Sequence, residues 1–233
     1  MIDPEVKGHL IALEGIDGAG KSTLASSLVK TLNGHGLPSV LVDKHTTTVP
    51  GSEDLSEYLD QVNAVVYRRK PSVGPLCGDH YWLFALAAWY ALLDRLIIRP
   101  ALSRGEVVVM DNSYSKIVAR YAASGEIPSE LVEGVFRQVR VPDLILFLDL
   151  PPSEALRRKG NFTALEAGHM GMTASHFVDY QERVTNEFRS LMGAGAWEHI
   201  AVADRTPAEV LALALAAVRD RLELAIDSTQ RDG

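Results

Sequence analysis

Apolar residues along the chain fall into two recurring patterns. Short unbroken runs stand at 9–13, 39–42, 107–110, 144–148 and 199–202. Between them lie segments whose apolar positions recur every three or four residues, at 21–32, 53–66, 80–102, 129–139, 153–159, 174–192 and 207–225. Runs without polar alternation suit strands covered on both faces, and their alternation with helix-length segments predicts parallel strands joined by crossover helices. The expectation is one α/β domain over 1–233, a five-stranded parallel sheet with helices on both faces in three layers. Thr206, Pro207 and Glu209 make a capping box with proline at the first helical position, which fixes the start of the last helix. Two stretches fit the scheme poorly. Residues 70–79 hold Pro71, Gly74, Pro75 and Gly78 and read as a loop. Residues 160–173 hold Gly160, Gly168 and Gly171 between two helices. The polar stretch 227–233 reads as a frayed tail.

Composition leaves this picture in place and removes some functions. Hydrophobic residues make up 47% and charged residues 23%, an ordinary globular balance. A net charge of −7 argues against nonspecific nucleic-acid binding, yet is compatible with a local basic pocket for a small anion. The single cysteine, Cys77, has no partner for an internal disulfide and no neighbours for a zinc site. The longest apolar stretch, 83–93, is too short to span a bilayer and is followed by Asp94 and Arg95, so it reads as a buried helix rather than a membrane segment. Met1 to Glu5 lacks the basic-then-apolar layout of a secretion signal, so a soluble, cytoplasmic protein is expected.

The chemistry is concentrated after the first strand. Gly15, Gly20, Lys21 and Ser22 satisfy the pattern G-x-x-x-x-G-K-[ST], between an apolar run and a helix. Glycines at this turn let successive backbone N–H groups point inward at a helix N-terminus and form an anion nest. Gly15, Asp17, Gly18, Ala19, Gly20, Lys21, Ser22 and Thr23 are therefore the expected ATP-binding residues, with Lys21 on the β- and γ-phosphates and Ser22 on Mg²⁺. Asp111 ends the run 107–110, where ligands bind in open α/β sheets, and is the expected second magnesium contact. Asp149, ending the run 144–148, is its rival, and either aspartate has a helix-capping alternative.

The segment 10–24, with Glu14-Gly15, Asp17 and Gly18-Ala19-Gly20-Lys21-Ser22-Thr23, resembles the opening of thymidylate kinases. The stretches 99–111, 142–150 with Ala155-Leu156-Arg157-Arg158, and 202–210 are similar to later parts of the same family, in order, so the resemblance covers nearly the whole chain. It implies a P-loop kinase fold and transfer of the γ-phosphoryl group of ATP to a nucleoside monophosphate such as dTMP. It implies that Asp17 lies near the acceptor's sugar, that Asp111 is catalytic, and that Arg157 and Arg158 sit on a lid over 157–175 that closes on the transferring group, with a solvated helix face as the alternative because two adjacent positions cannot both point inward. It also implies a homodimer formed through long helices, for which the apolar run 81–93 is the candidate.

The departures from the family all fall on the acceptor side. Asn112 stands where the family has an arginine that grips the acceptor phosphate. Lys44 and His45 occupy a segment that usually carries an arginine, and neither reproduces a bidentate guanidinium. Leu86 and Tyr90 hold the family's stacking and base-reading positions, which makes Phe84, Trp89 and Tyr90 the candidates to contact a ring, with core packing as the alternative. Residues 161–166 lack the Asp-Arg before Glu166, and 168–173 resembles an insertion. Arg68, Arg69 and Lys70 offer a relocated anion site or a solvated helix end. An intact donor half with a rewritten acceptor half opens two further readings, a changed small-molecule acceptor and a non-catalytic ATP-binding switch.

Overall fold

The computed structural model describes residues 7–70, 72–193 and 196–226; the acidic opening, Pro71 and the expected frayed tail lie outside them. Five parallel strands form one sheet: β1 (His9–Glu14), β2 (Ser39–Val42), β3 (Val107–Asp111), β4 (Leu144–Asp149) and β5 (Trp197–Ala201), in the order β2-β3-β1-β4-β5. β1 lies at the centre, paired with β3 and β4, so the chain leaves it toward opposite sides of the sheet. Such a switch point opens a crevice beyond the strand ends, where ligands bind in sheets of this kind.

Successive strand residues feed two separate cores. Ile11, Leu13, Val107 and Val109 pack on one face with α1 (Lys21–Gly34) and with two later helices, α8 (Ala174–Leu191) and α9 (Pro207–Leu222). Leu10, Ala12, Val108 and Met110 pack on the other with α2 (Glu53–Tyr67), α3 (Gly74–Leu93) and α6 (Ser129–Phe136). Full burial of each large aliphatic in β1 stabilises the fold by about 1.5–3 kcal/mol, and it explains why the runs show no polar alternation.

The long helix differs from its expected span of 80–102. It begins six residues earlier, at Gly74, with Pro75 in its first turn where a missing N–H costs nothing. It bends at Gly78, whose φ of 73° is not helical, and continues through a π-helical turn (Asp94–Ile98) into α4 (Arg99–Ser103). Most of 70–79 is thus helix rather than loop. Residues 74–103 are long and apolar enough to span a bilayer, but Leu83, Trp89, Leu93, Ile98, Ala101 and Leu102 are buried in the second core.

A further helix, α5 (Ser115–Ser124), follows β3 where no element was expected. It is only ten residues long, and its buried positions are the small residues Ser115, Ala119 and Ala123, with Ile117, Val118 and Tyr121 partly buried against the second core. β5 begins two residues earlier than expected because Trp197 packs against Phe147 and Phe188. The segment 129–139 is helical only to Phe136, and 207–225 only to Leu222, beyond which Glu223 is left-handed at φ 52°. α7 (Pro152–Lys159) leads into the expected lid, which contains a 3₁₀ turn (Ala164–Ala167) closed by a capping box between Thr163 and Glu166.

Candidate active site

The loop between β1 and α1 takes its shape from its glycines. Gly15 has φ 141°, and a Cβ there would stand 2.6 Å from the Leu148 carbonyl oxygen. Gly20 caps α1 at φ 94° with no side chain bonding the first amides of the helix, which leaves those N–H groups for an anion. Lys21 is buried, and its Nζ donates to the Ile16 carbonyl at 2.8 Å, folding the side chain back over the loop. Burial, and then the nearby Lys116, push its ammonium down to about 8. Arriving phosphates would reverse that shift.

The Ser22 hydroxyl donates to the carboxylate of Asp111 across the floor of the crevice. A hydroxyl and a carboxylate meeting at a phosphate-binding helix form a hard, all-oxygen donor set that fits Mg²⁺. Among the described residues no cluster of three or more His, Cys, Asp or Glu side chains is placed to hold a metal.

Beyond the loop lies a cavity of about 440 Å³. The loop residues Asp17, Gly18, Gly20, Lys21, Ser22 and Thr23 line it together with Lys44, Tyr67, Trp89, Tyr90, Asp111 and Asn112. Lys116, Arg120 and Lys159 also line it. Of the expected residues, Gly15, Ala19, His45, Phe84, Arg157 and Arg158 do not line it. Ala19 is packed in the core beneath the loop, and Phe84 is half exposed on the outer face of α3. Trp89 and Tyr90 are buried in the second core, as the packing alternative expects, and also border the cavity.

The lid arginines are turned away. Arg157 makes two hydrogen bonds to Glu154 at 2.7 Å and is largely exposed. Arg158 also donates to Glu154, and its guanidinium reaches the carbonyls of Val202 and Ala203. The neighbouring Lys159 points into the cavity instead, with its Nζ 2.5 Å from Glu166. The lid itself is tied down: Gln181 donates to the Glu166 carbonyl at 2.6 Å, and Arg120 to the Leu165 carbonyl at 2.6 Å. Asp149 is engaged by Arg189 and His199 outside the cavity. Arg68 pairs with Asp60, and Arg69 stacks over Trp82; neither reaches the cavity.

α5 was not among the expected elements, and with it went two cations of the cavity, Lys116 and Arg120. Lys116 and Arg120 lie four residues apart, so a helix starting after Asp111 places both on one face; that spacing was the available signal. Lys116 pairs with Asp17 at 2.7 Å, both largely shielded from solvent. Burial alone would raise the Asp17 carboxyl, but Lys116 and Lys21 outweigh it and hold the group well below the usual carboxylate range. Underneath, Glu14 is fully buried and accepts from the Ser113 amide at 2.8 Å and its hydroxyl at 2.6 Å. Burial pushes this carboxyl up to about 7 in spite of both hydrogen bonds. Asn112 is left-handed at φ 69°, a conformation asparagine tolerates, and its Nδ2 donates to Asp111 at 3.1 Å.

A family model described as thymidylate kinase matches residues 13–212. The chain is similar to a thymidylate kinase of Xanthomonas euvesicatoria pv. vesicatoria (strain 85-10), 34% identical over 219 residues covering 92% of this chain and 87% of the relative. It is 32% identical over 231 residues to a thymidylate kinase of Xanthomonas campestris pv. campestris (strain B100), covering 97% and 91%. A thymidylate kinase of Pelodictyon phaeoclathratiforme (strain DSM 5477 / BU-1) is 31% identical over 182 residues, 77% of this chain and 76% of the relative.

Proposed function

The chain belongs to the thymidylate kinase family, and from that premise we propose that it moves the γ-phosphoryl group of ATP to thymidylate. The observation that carries this reading is one continuous cavity lined both by the phosphate-binding loop and by Tyr67, Trp89 and Tyr90. Neither the changed small-molecule acceptor nor the non-catalytic switch gains support from relatives that span most of the chain under one name.

The donor's phosphates lie against the loop amides from Gly15 to Thr23, and Lys21 exchanges the Ile16 carbonyl for phosphate oxygens. Ser22 and Asp111 would hold Mg²⁺, which supplies charge neutralisation on the β- and γ-phosphates when bound. The acceptor's ring lies along Trp89 and Tyr90, and its phosphate faces the loop. A phosphate oxygen of the acceptor bonds to the γ-phosphorus as the bond to the β–γ bridging oxygen breaks, and that electron pair leaves on ADP. The products are thymidine diphosphate and ADP. The protein's part is positioning and charge: cations must meet the equatorial oxygens of the transferring group. Lys159 lines the cavity from its pair with Glu166 and takes that role first; Arg157 and Arg158 lie outside the cavity and join only by breaking their pairs with Glu154.

We assign the protein to the cytoplasm and to a homodimer. Tyr81, Phe84, Ala88 and Ala91 form an exposed stripe along α3 at helical spacing, with Tyr58 and Val65 exposed on the adjacent α2. Small residues following two aromatics let a second copy of the helix approach closely. The kinase reading is tested by following ADP formation with ATP and Mg²⁺ against thymidylate, thymidine and other nucleotides. Turnover specific to thymidylate and abolished in Lys21→Ala supports it, and idle enzyme with thymidylate removes it.

A further inference from the structure

The acceptor's phosphate must be met by a cation, and the residue after Asp111 does not supply one. Asn112 is committed to Asp111, and its side-chain oxygen is buried without a partner. The cavity is nevertheless the cationic part of a molecule with net charge −7: Lys21, Lys44, Lys116, Arg120 and Lys159 line it, against Asp17, Asp43 and Asp111. Lys21 belongs to the donor loop, Lys159 ends the helix that leads into the lid, and Lys44 follows β2 beside Asp43. Lys116, on the first turn of α5, is the cation that a different element brings to the loop, through its 2.7 Å pair with Asp17.

We propose that Lys116, with Arg120 one turn further along α5, is the site for the phosphate monoester of the acceptor nucleotide, a role that rests on the kinase reading above. The pair with Asp17 uses one of three ammonium donors and leaves two to reach phosphate oxygens. Asp17 holds the ammonium at the boundary between donor and acceptor, so a phosphate seated on Lys116 stands next to the loop that presents the γ-phosphoryl group. Arg120 extends the same face and donates to the Leu165 carbonyl, which links the acceptor phosphate to the lid. The cation lost at position 112 is thus replaced from a different element, the helix that follows β3. This makes Lys116 a specificity residue: it favours a nucleotide over the bare nucleoside.

The test measures binding of thymidylate and of thymidine, without ATP, by calorimetry on the full chain. In Lys116→Met, thymidylate binding should weaken about 10- to 100-fold, the usual range for losing a charged hydrogen bond, while thymidine binding stays within about 2-fold. Lys116→Arg should recover most of the loss. The double variant Asp17→Asn with Lys116→Met separates contact from neutralisation. If Lys116 touches the phosphate, the double variant stays weak for thymidylate. Recovery in the double variant, equal weakening of both ligands, or an unchanged thymidylate affinity in Lys116→Met would each overturn the assignment. Absence of wild-type turnover with thymidylate would remove the kinase reading itself, and this assignment with it; wild-type turnover beside an unaffected Lys116→Met removes the assignment alone.

Discussion

Replacing Glu14 with glutamine should flatten the stability of the fold between about pH 4.5 and pH 7. Glu14 is fully buried, and its carboxyl is raised from 4.5 to about 7, chiefly by burial. Across that window the folded chain keeps a proton that the unfolded chain has released. The native state binds more protons, so stability is fully present below the unfolded pKa and is lost as pH rises through the folded one. A shift of this size corresponds to about 3 kcal/mol at ~1.4 kcal/mol per unit. The amide oxygen of the glutamine can still accept from the Ser113 amide and hydroxyl, so the substitution removes the titration without removing those contacts. Urea unfolding of both proteins at pH 5 and pH 8 measures the effect. The Glu14→Gln variant should match the wild type at pH 5 and exceed it at pH 8 by roughly 2–3 kcal/mol. Equal pH slopes for the two proteins would refute the placement of a protonating carboxyl under the loop.

Lys159→Met should lower kcat by about 10²-fold or more with little change in KM for ATP, whereas Arg157→Ala should change either by less than about 3-fold, because Lys159 lines the cavity and Arg157 does not. Steady-state kinetics on both variants decides, and the reverse ranking returns the role to the lid arginine. Ala88→Glu on the exposed stripe of α3 should convert a dimer into monomer without loss of fold; sedimentation equilibrium reads this, and a wild type that sediments as monomer removes the dimer.

The parts of the fold legible in the sequence were those set by local chemistry. The loop from Gly15 to Ser22 needs only its own glycines and lysine, and Asp111 follows from its place at a strand end. Trp89 and Tyr90 could be placed near the cavity by counting along one long helix. What failed depended on contacts that no local pattern encodes. α5 was missed because it is only ten residues long and its buried positions are Ser115, Ala119 and Ala123, while its larger apolar residues Ile117, Val118 and Tyr121 are only partly buried. With α5 went Lys116 and Arg120, so the missing cation at Asn112 read as a rewritten acceptor site while two cations stood on the next helix. Arg157 and Arg158 were expected either on a closing lid or on a solvated helix face; Glu154, three and four residues before them, pairs with both, and the adjacent Lys159 faces the cavity. The loop expected at 70–79 shows the reverse error. Proline and glycine were read as breakers, yet Pro75 at a helix start and Gly78 at a bend are both accommodated.

The most direct test of the central claim follows the transferred group itself. Incubation with ATP labelled in its γ-phosphate, Mg²⁺ and thymidylate should place the label in the β-phosphate of thymidine diphosphate, with one ADP formed per label transferred. Label appearing only as free phosphate, at the same rate with and without thymidylate, would contradict the account.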